Sequence, residues 1–436
     1  MRLAIVSPLP PAASGIADYT ADLAALLAAK HEIELFHGQA DVDAARLPRG
    51  IPPHPAAELE PRARERPFDL VVHQLGNNHV HDFQYPLLSR VPGLLVLHEL
   101  VLHHARAAQF LESDAVRAWR ASPGSVAARR AAEPVLDAWR AELEYAYPGR
   151  GDLLHAAQLG TIGDLLPYAY PLFRIPVEAS RAVAVHNRYM AEAVRGELPG
   201  SVVLQAPMPV SRLPVAAGAV RELRARLGFG DGDVVVGVFG LLTPEKRVAS
   251  VAGALARAAR HDDRLRLLLV GPVLDHARLA TDLERSGVAG RTVVTGRVSL
   301  ADLAAHIEAA DVVAHLRYPS ARETSAALLR VLAQGRSTIV SDLEHQAELP
   351  ADVVVKIGLA DEAAALQAAL ERLAGDAALR DRLARAAAEF VAREHAPDRV
   401  ASAWDEVFEE ARRAPVPAAH PGWPPHWPRP QAGSER

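Results

Sequence analysis

The sequence predicts an α/β protein made of two doubly wound domains in tandem, each built on a mostly parallel sheet. Three observations carry that expectation. The chain has 436 residues, more than one hydrophobic core usually supports. Short continuous apolar runs, the mark of strands buried on both faces, alternate with helical stretches. The alternation then begins afresh after a proline cluster at Pro207, Pro209 and Pro214.

Taken in order, Leu3 to Val6 reads as the first strand, followed by the loop Pro8 to Gly15 and an apolar-rich helix from about Ile16 to Lys30. Ile33 to Phe36 is the second strand, and Leu70 to His73, Leu94 to Leu97 and Ala182 to Val185 are further strands. An Ala/Arg-rich helical region fills 114–147. In the second series the strands fall at Val234 to Phe239, Leu267 to Val270, Val293-Val294, Val312 to Ala314 and Thr338 to Val340. Helices over 247–260, 274–286, 300–309 and 325–334 separate them, the last ending at Gly335, a residue suited to the left-handed position after a helix. The expected division is a first domain over 1–210, a second over 211–395, a closing helix over 396–413 and a tail over 414–436. The tail's repeated Pro, Gly and Trp read as disordered.

Composition excludes several functions. The formal net charge of -5 argues against nucleic-acid binding, which normally needs a basic surplus. With no cysteine, disulfides, thiol catalysis and Cys-ligated zinc are ruled out, and a reducing, cytoplasmic setting is expected. Leu3 to Val6 is too short for a signal-peptide core, and no run of about eighteen apolar residues reads as a membrane span. That pattern is compatible with peripheral membrane contact. Arg117, Arg120, Arg129, Arg130 and Arg140 read first as a solvated helical face and second as a membrane-surface face.

Ligands of doubly wound folds bind at the carboxyl ends of the strands, so the residues just after each strand carry the functional reading. Gly240-Leu241-Leu242-Thr243-Pro244-Glu245-Lys246-Arg247 follows one strand. A diphosphate needs cations and backbone N–H groups, and a strand-to-helix turn with Lys246 and Arg247 supplies both; a solvated Lys-Arg pair at a helix start is the plainer reading. A second cluster, Arg317 to Ser325, opens the helix that ends at Gly335. Thr324 or Ser325 can cap that helix. Capping does not explain two arginines around Glu323 in a Pro-containing loop.

Together these segments resemble family 4 glycosyltransferases of the GT-B fold, retaining enzymes that use nucleotide-diphosphate sugars. The likeness runs from Met1 to about Arg412 and rests on SGIADYT at 14–20, QLGNNHVHDF at 74–83, LLVLHELVLHH at 94–104, FGLLTPEKR at 239–247 and RETSAALLRVLAQGRSTIVSD at 322–342. It implies two Rossmann-like domains facing across a cleft, the first on the acceptor side and the second binding the donor. Lys246 resembles the lysine that grips the donor diphosphate. Glu323 resembles the glutamate that approaches the donor sugar, with Thr324 and Ser325 in the loop whose amides hold phosphate. Gly15 resembles the glycine of the first loop that lets main chain approach the donor phosphate, Gly240 is a further donor-binding candidate, and His98 resembles the histidine near the reacting sugar.

The departures from that pattern are specific. Leu241 stands where many members have an arginine, so Arg247 or Arg317 would have to supply the second charge. The usual pair of glutamates seven residues apart would fall at Arg322 and Arg330; only Glu323, one position later, replaces the first. Arg330 has donors only and cannot accept from ribose hydroxyls. The chain therefore reads as a variant branch with a Glu-Thr-Ser donor loop.

On the acceptor side, Asp18, Tyr19, Asn77, Asn78 and His103 are candidates, Asn77 and Asn78 equally as helix caps. Zinc fails on geometry: His98 and His103 are five apart, about 140° around a helix, whereas zinc pairs share one face at four. The resemblance implies sugar transfer to a hydroxyl acceptor (glycan, lipid-linked glycan or small molecule) with retained configuration, without metal or other cofactor. Two other functions fit the same features: a non-catalytic GT-B subunit binding a nucleotide sugar or an enzyme partner, and a nucleotide-sugar epimerase. Oligomeric state is left open.

Overall fold

The computed structural model describes residues 1–160, 165–418 and 420–428. They form two units: Met1–Pro207 with Ala321–Thr324 and the segment from Ala401 onward, and Met208–Ser320 with Ser325–Val400.

In the first unit, strands β1 (Arg2–Val6), β2 (Glu32–His37), β3 (Pro53–Pro55), β4 (Leu70–Leu75), β5 (Leu94–Leu97), β6 (Ala182–Val185) and β7 (Val203–Gln205) form one sheet, in the order β3-β2-β1-β4-β5-β6-β7. All neighbours are parallel. β1, β4, β5 and β6 are buried along their whole length, the burial that their unbroken apolar runs encode. Strand order reverses between β1 and β4, the switch point at which ligands of such sheets bind. Ser14 caps the helix Gly15–Leu27, its Oγ accepting from the Ile16 N–H at 3.2 Å.

Between β5 and β6 the chain makes a long helical excursion that includes His103–Leu111, Asp114–Ala121, Val126–Ala146 and Gly151–Leu159. Phe110, Trp139, Leu143, Leu154 and Leu172 form its core. Arg117, Arg129 and Arg140 point outward, their side chains more than half exposed, as a solvated face requires. Among the described residues no helix is long and apolar enough to cross a membrane.

The second unit repeats the pattern. Strands β8 (Val234–Phe239), β9 (Leu265–Val270), β10 (Thr292–Gly296), β11 (Val312–His315), β12 (Ser337–Ser341) and β13 (Val355–Ile357) lie in the order β10-β9-β8-β11-β12-β13, all parallel. Its switch point falls between β8 and β11. Apolar residues of the helices Val248–Ala258 and Glu362–Gly375, including Val251, Leu255, Leu366 and Leu370, cover one face of this sheet.

The C-terminal segment departs from expectation. The helix Pro397–Arg413 belongs from residue 401 to the first unit, where Trp404 and Phe408 are fully buried and Asp405 pairs with Lys30 at 2.6 Å and His31 at 2.8 Å. Disorder from residue 414 is also corrected for 414–418 and 420–428. Trp423 and Trp427 are 4% and 3% exposed and join the core cluster of Tyr85, Leu88 and Phe173. Their indole N–H groups donate to Glu178 at 3.1 Å and Glu142 at 3.0 Å. Composition marked this segment as unable to build a core; two tryptophans suffice to join one that exists. The remainder of the expected tail, 419 and 429–436, lies outside the described residues.

Candidate functional site

In the second unit the site is assembled by strand ends. Just past β8, Gly240 adopts φ +100, and its N–H donates to the Val270 carbonyl at 2.9 Å. Gly271, after β9, adopts φ +140, and a Cβ there would lie 2.0 Å from the Gly240 carbonyl oxygen. Only glycine allows the two backbones this approach. Gly271→Ala is therefore expected to destabilise the protein by about 2–4 kcal/mol. A fall in the urea midpoint at unchanged slope would register it.

Lys246 ends the short 3-10 turn Pro244–Lys246 and is 6% exposed. Its side chain curls back over Gly240, so that a Cβ at Gly240 would lie 3.2 Å from Nζ. The loop after β11 is tied to the same place: the Tyr318 N–H donates to the Glu245 carbonyl at 2.9 Å, and the Arg317 N–H to Ser341 Oγ at 3.1 Å. His315, at the end of β11, is 3% exposed. Burial, then Lys246, Arg317 and His345, hold its pKa well below the ordinary histidine value. Lys246 and Arg317 thus set a positive field at the carboxyl ends of β8 and β11, and His315 sits within it.

Arg247 is neutralised within the protein. Its Nε sits 2.6 Å from Glu362, itself 7% exposed, so the neutralising partner is already built in. Leu241 is 49% exposed. A cavity of about 620 Å³ opens between the starts of the helices Val248–Ala258 and His276–Ser286. Arg247 lines it, whereas Gly240, Lys246 and Arg317 are not part of its lining. Ser325 caps the helix Ala326–Ala333, its Oγ accepting from the Leu328 N–H at 3.3 Å. Arg330 is half-buried in the last turn of that helix.

In the first unit His98 follows β5 and is 8% exposed. Its Nε2 lies 2.7 Å from Gln74 Oε1; with the glutamine so oriented, Nε2 carries the proton. Tyr19 packs edge-on at 4.8 Å and His186 at 5.0 Å. Burial foremost, then His186 and His81, depress the His98 pKa well below the ordinary value, so the imidazole is neutral at pH 7. Tyr19 is buried, and that burial drives its phenol pKa well above 10. The structure thus brings Tyr19 and His98 together and adds His186 and Gln74.

The segment Ala321–Thr324, carrying Glu323, belongs to this unit. Asn187 Nδ2 donates to the Arg322 carbonyl at 3.1 Å and to Thr324 Oγ1 at 3.0 Å. His186 and Asn187 were missed by sequence reasoning, although Asn before a helix is a cap signal.

The other first-unit candidates stand apart. Gly15 is exposed, with nothing within 4 Å of an added Cβ; only a ligand's approach would demand glycine there. Asp18 is paired on the surface with Arg46 at 2.6 Å. Asn77 proves a strut: its Oδ1 accepts from the Ala105 N–H at 2.8 Å, satisfying a donor at the start of the helix His103–Leu111, and its own N–H donates to Glu99 at 2.8 Å. Asn78 caps the short turn His79–His81 through Val80 N–H at 3.1 Å. His103 is corrected from acceptor side to packing: it is fully buried against Trp139, bonded to the Tyr170 carbonyl and Gln158.

Among the described residues no group of three or more His, Asp or Glu is placed to hold a metal ion.

Residues 233–376 match the family model described as Glycosyl transferases group 1. No curated protein matches the chain. Among solved structures, sucrose-phosphate synthase from Thermosynechococcus elongatus is similar at 17% identity and TM-score 0.62, covering 94% of this chain and 98% of its own. Alr3699/HepE from Anabaena, in complex with UDP, gives 15%, 0.63, 94% and 100%. WaaG, a glycosyltransferase involved in lipopolysaccharide biosynthesis, gives 13%, 0.58, 94% and 99%. At these identities the likeness is one of fold. The chain has the GT-B fold and carries a Glycosyl transferases group 1 domain over residues 233–376.

Proposed function

We propose that the chain is a retaining glycosyltransferase that moves a sugar from a nucleotide diphosphate sugar to a hydroxyl acceptor. The observation that carries this reading is the buried Lys246 folded over Gly240 beside Arg317 and His315, within a domain matching a glycosyltransferase family. Alr3699/HepE has been crystallised with UDP-glucose, which supports a nucleotide sugar as donor.

Breaking the sugar–phosphate bond leaves positive charge on the sugar and negative charge on the departing diphosphate. Lys246 and Arg317 stabilise that developing negative charge electrostatically, together with the amides that open the helix Ala326–Ala333. His98 and Glu323 hold the sugar. The departing phosphate takes the acceptor's proton on the face it leaves, so no protein nucleophile is needed and configuration is retained. The cations take the electrostatic part that a divalent ion plays elsewhere, so turnover is expected to persist undiminished in EDTA.

The test is direct. UDP-, GDP- and ADP-sugars are screened for a rise in melting temperature, and the stabilising donor is offered with hydroxyl acceptors while the product anomer is read by NMR. An inverted product, or hydrolysis-free binding of every donor without transfer, overturns the reading. The second outcome would favour a non-catalytic subunit, to which the Arg247–Glu362 pairing already lends support. Epimerised sugar formed without acceptor would favour an epimerase.

A further inference from the structure

Asn187 makes bonds at both ends of its side chain. It is 9% exposed and is the N-cap of the helix Arg188–Glu197, its Oδ1 accepting from the Met190 N–H at 2.8 Å. Its Nδ2 carries two hydrogens, and both are spent on one loop: the Arg322 carbonyl at 3.1 Å and Thr324 Oγ1 at 3.0 Å. The two acceptors flank Glu323. Arg322 sits at φ +67, a conformation that a long L side chain rarely adopts, and such backbone persists only where its surroundings over-determine it. Two further bonds secure the turn: the Leu100 N–H donates to the Ala321 carbonyl at 3.0 Å, and the Arg322 guanidinium reaches the Tyr168 carbonyl at 3.4 Å.

We infer that Asn187 is a positioning residue that fixes the turn Ala321–Thr324 and so sets where the Glu323 carboxylate stands. The inference rests on the glycosyltransferase reading above and deepens it, because it names a residue that acts on the sugar-handling carboxylate without touching substrate. The rigid element behind it is the helix Arg188–Glu197, whose N-terminus and the Glu323 turn share one amide side chain. Serine and alanine differ there in separable ways. Serine keeps a hydroxyl that caps a helix well but is too short to hold the turn; alanine loses both functions.

The experiment separates these roles. Asn187→Ser is expected to melt close to the wild type, because the cap survives. Its kcat with the donor sugar is expected to fall about ten- to hundredfold, the scale of a misplaced catalytic group. Binding of the free nucleoside diphosphate, which has no sugar for Glu323 to meet, is expected to change by less than about threefold. Thr324→Val removes one acceptor from the same pair, so in the double variant the losses are expected not to multiply. The inference is overturned if Asn187→Ser turns over like the wild type, if nucleotide binding and kcat fall together, or if the two losses multiply. A wild-type chain that transfers no sugar would instead overturn the function proposed above, and the two failures are thus distinguishable. Should Asn187→Ser fold poorly, Thr324→Val alone gives the same kcat-against-binding comparison without disturbing the cap.

Discussion

Replacing Lys246 by alanine is expected to lower turnover about 10²- to 10³-fold, the effect of removing one preorganised donor from a site of developing negative charge. A unit charge about 4 Å from another contributes about 4 kcal/mol at an effective dielectric of 20, which agrees with that range. Arg247 cannot make up for the loss, because it is held at 2.6 Å by Glu362. The fold should survive, since Lys246 ends a three-residue turn and the chain there is held by backbone bonds to Thr243 and from Tyr318. Steady-state kinetics with the donor found by screening, alongside the melting temperature of the variant, measure both. Turnover within about threefold of wild type would remove Lys246 from the leaving-group role, since electrostatic preorganisation of this kind cannot be lost so cheaply.

The parts of the molecule that sequence made legible are those whose signal is local. β8 was expected at Val234 to Phe239 and is found there, because a strand covered on both faces has no polar positions to blur its ends. β3, β7 and β13 escaped notice. Each has three residues and lies at or beside a sheet edge, and Pro53-His54-Pro55 carries no apolar run at all. Ser325 as a cap and Lys246 at a strand end were likewise readable from their immediate neighbours. Asn187 was not, since its partners are 135 and 137 residues away and only tertiary structure unites them. His103 was misread for the same reason: the ring that buries it, Trp139, lies two helices further on. The tail failed differently. Composition weighs its prolines and glycines, whereas the energy resides in Trp423 and Trp427.

Those tryptophans close over the most deeply buried charge pair described, and the second large effect is expected there. Arg106 and Glu142 are both 3% exposed and pair at 2.5 Å. Arg106 also lies over the rings of Tyr85, Phe110 and Trp427, while His426 and the Trp427 indole complete the carboxylate's bonds at 2.9 and 3.0 Å. Burial, the largest single influence, pushes the Glu142 carboxyl up; Arg106 and His426 together overcome it and bring the pKa down to about 2. Glu142→Gln keeps the shape but leaves the guanidinium without its counter-charge, and breaking a buried pair in this way costs about 3–5 kcal/mol. The pH dependence has a definite sign. A carboxyl depressed from 4.5 to about 2 contributes about 3 kcal/mol, fully present above the unfolded value and lost as pH falls toward the folded one. The stability gap between wild type and Glu142→Gln, measured by urea unfolding, should therefore be wide at pH 7 and narrow between pH 4.5 and about 2, because the protonated wild type comes to resemble the amide. A gap that stays constant across that window would mean that shape and hydrogen bonding, rather than charge, hold Glu142 in place, and that the C-terminal tryptophans dock on a neutral core.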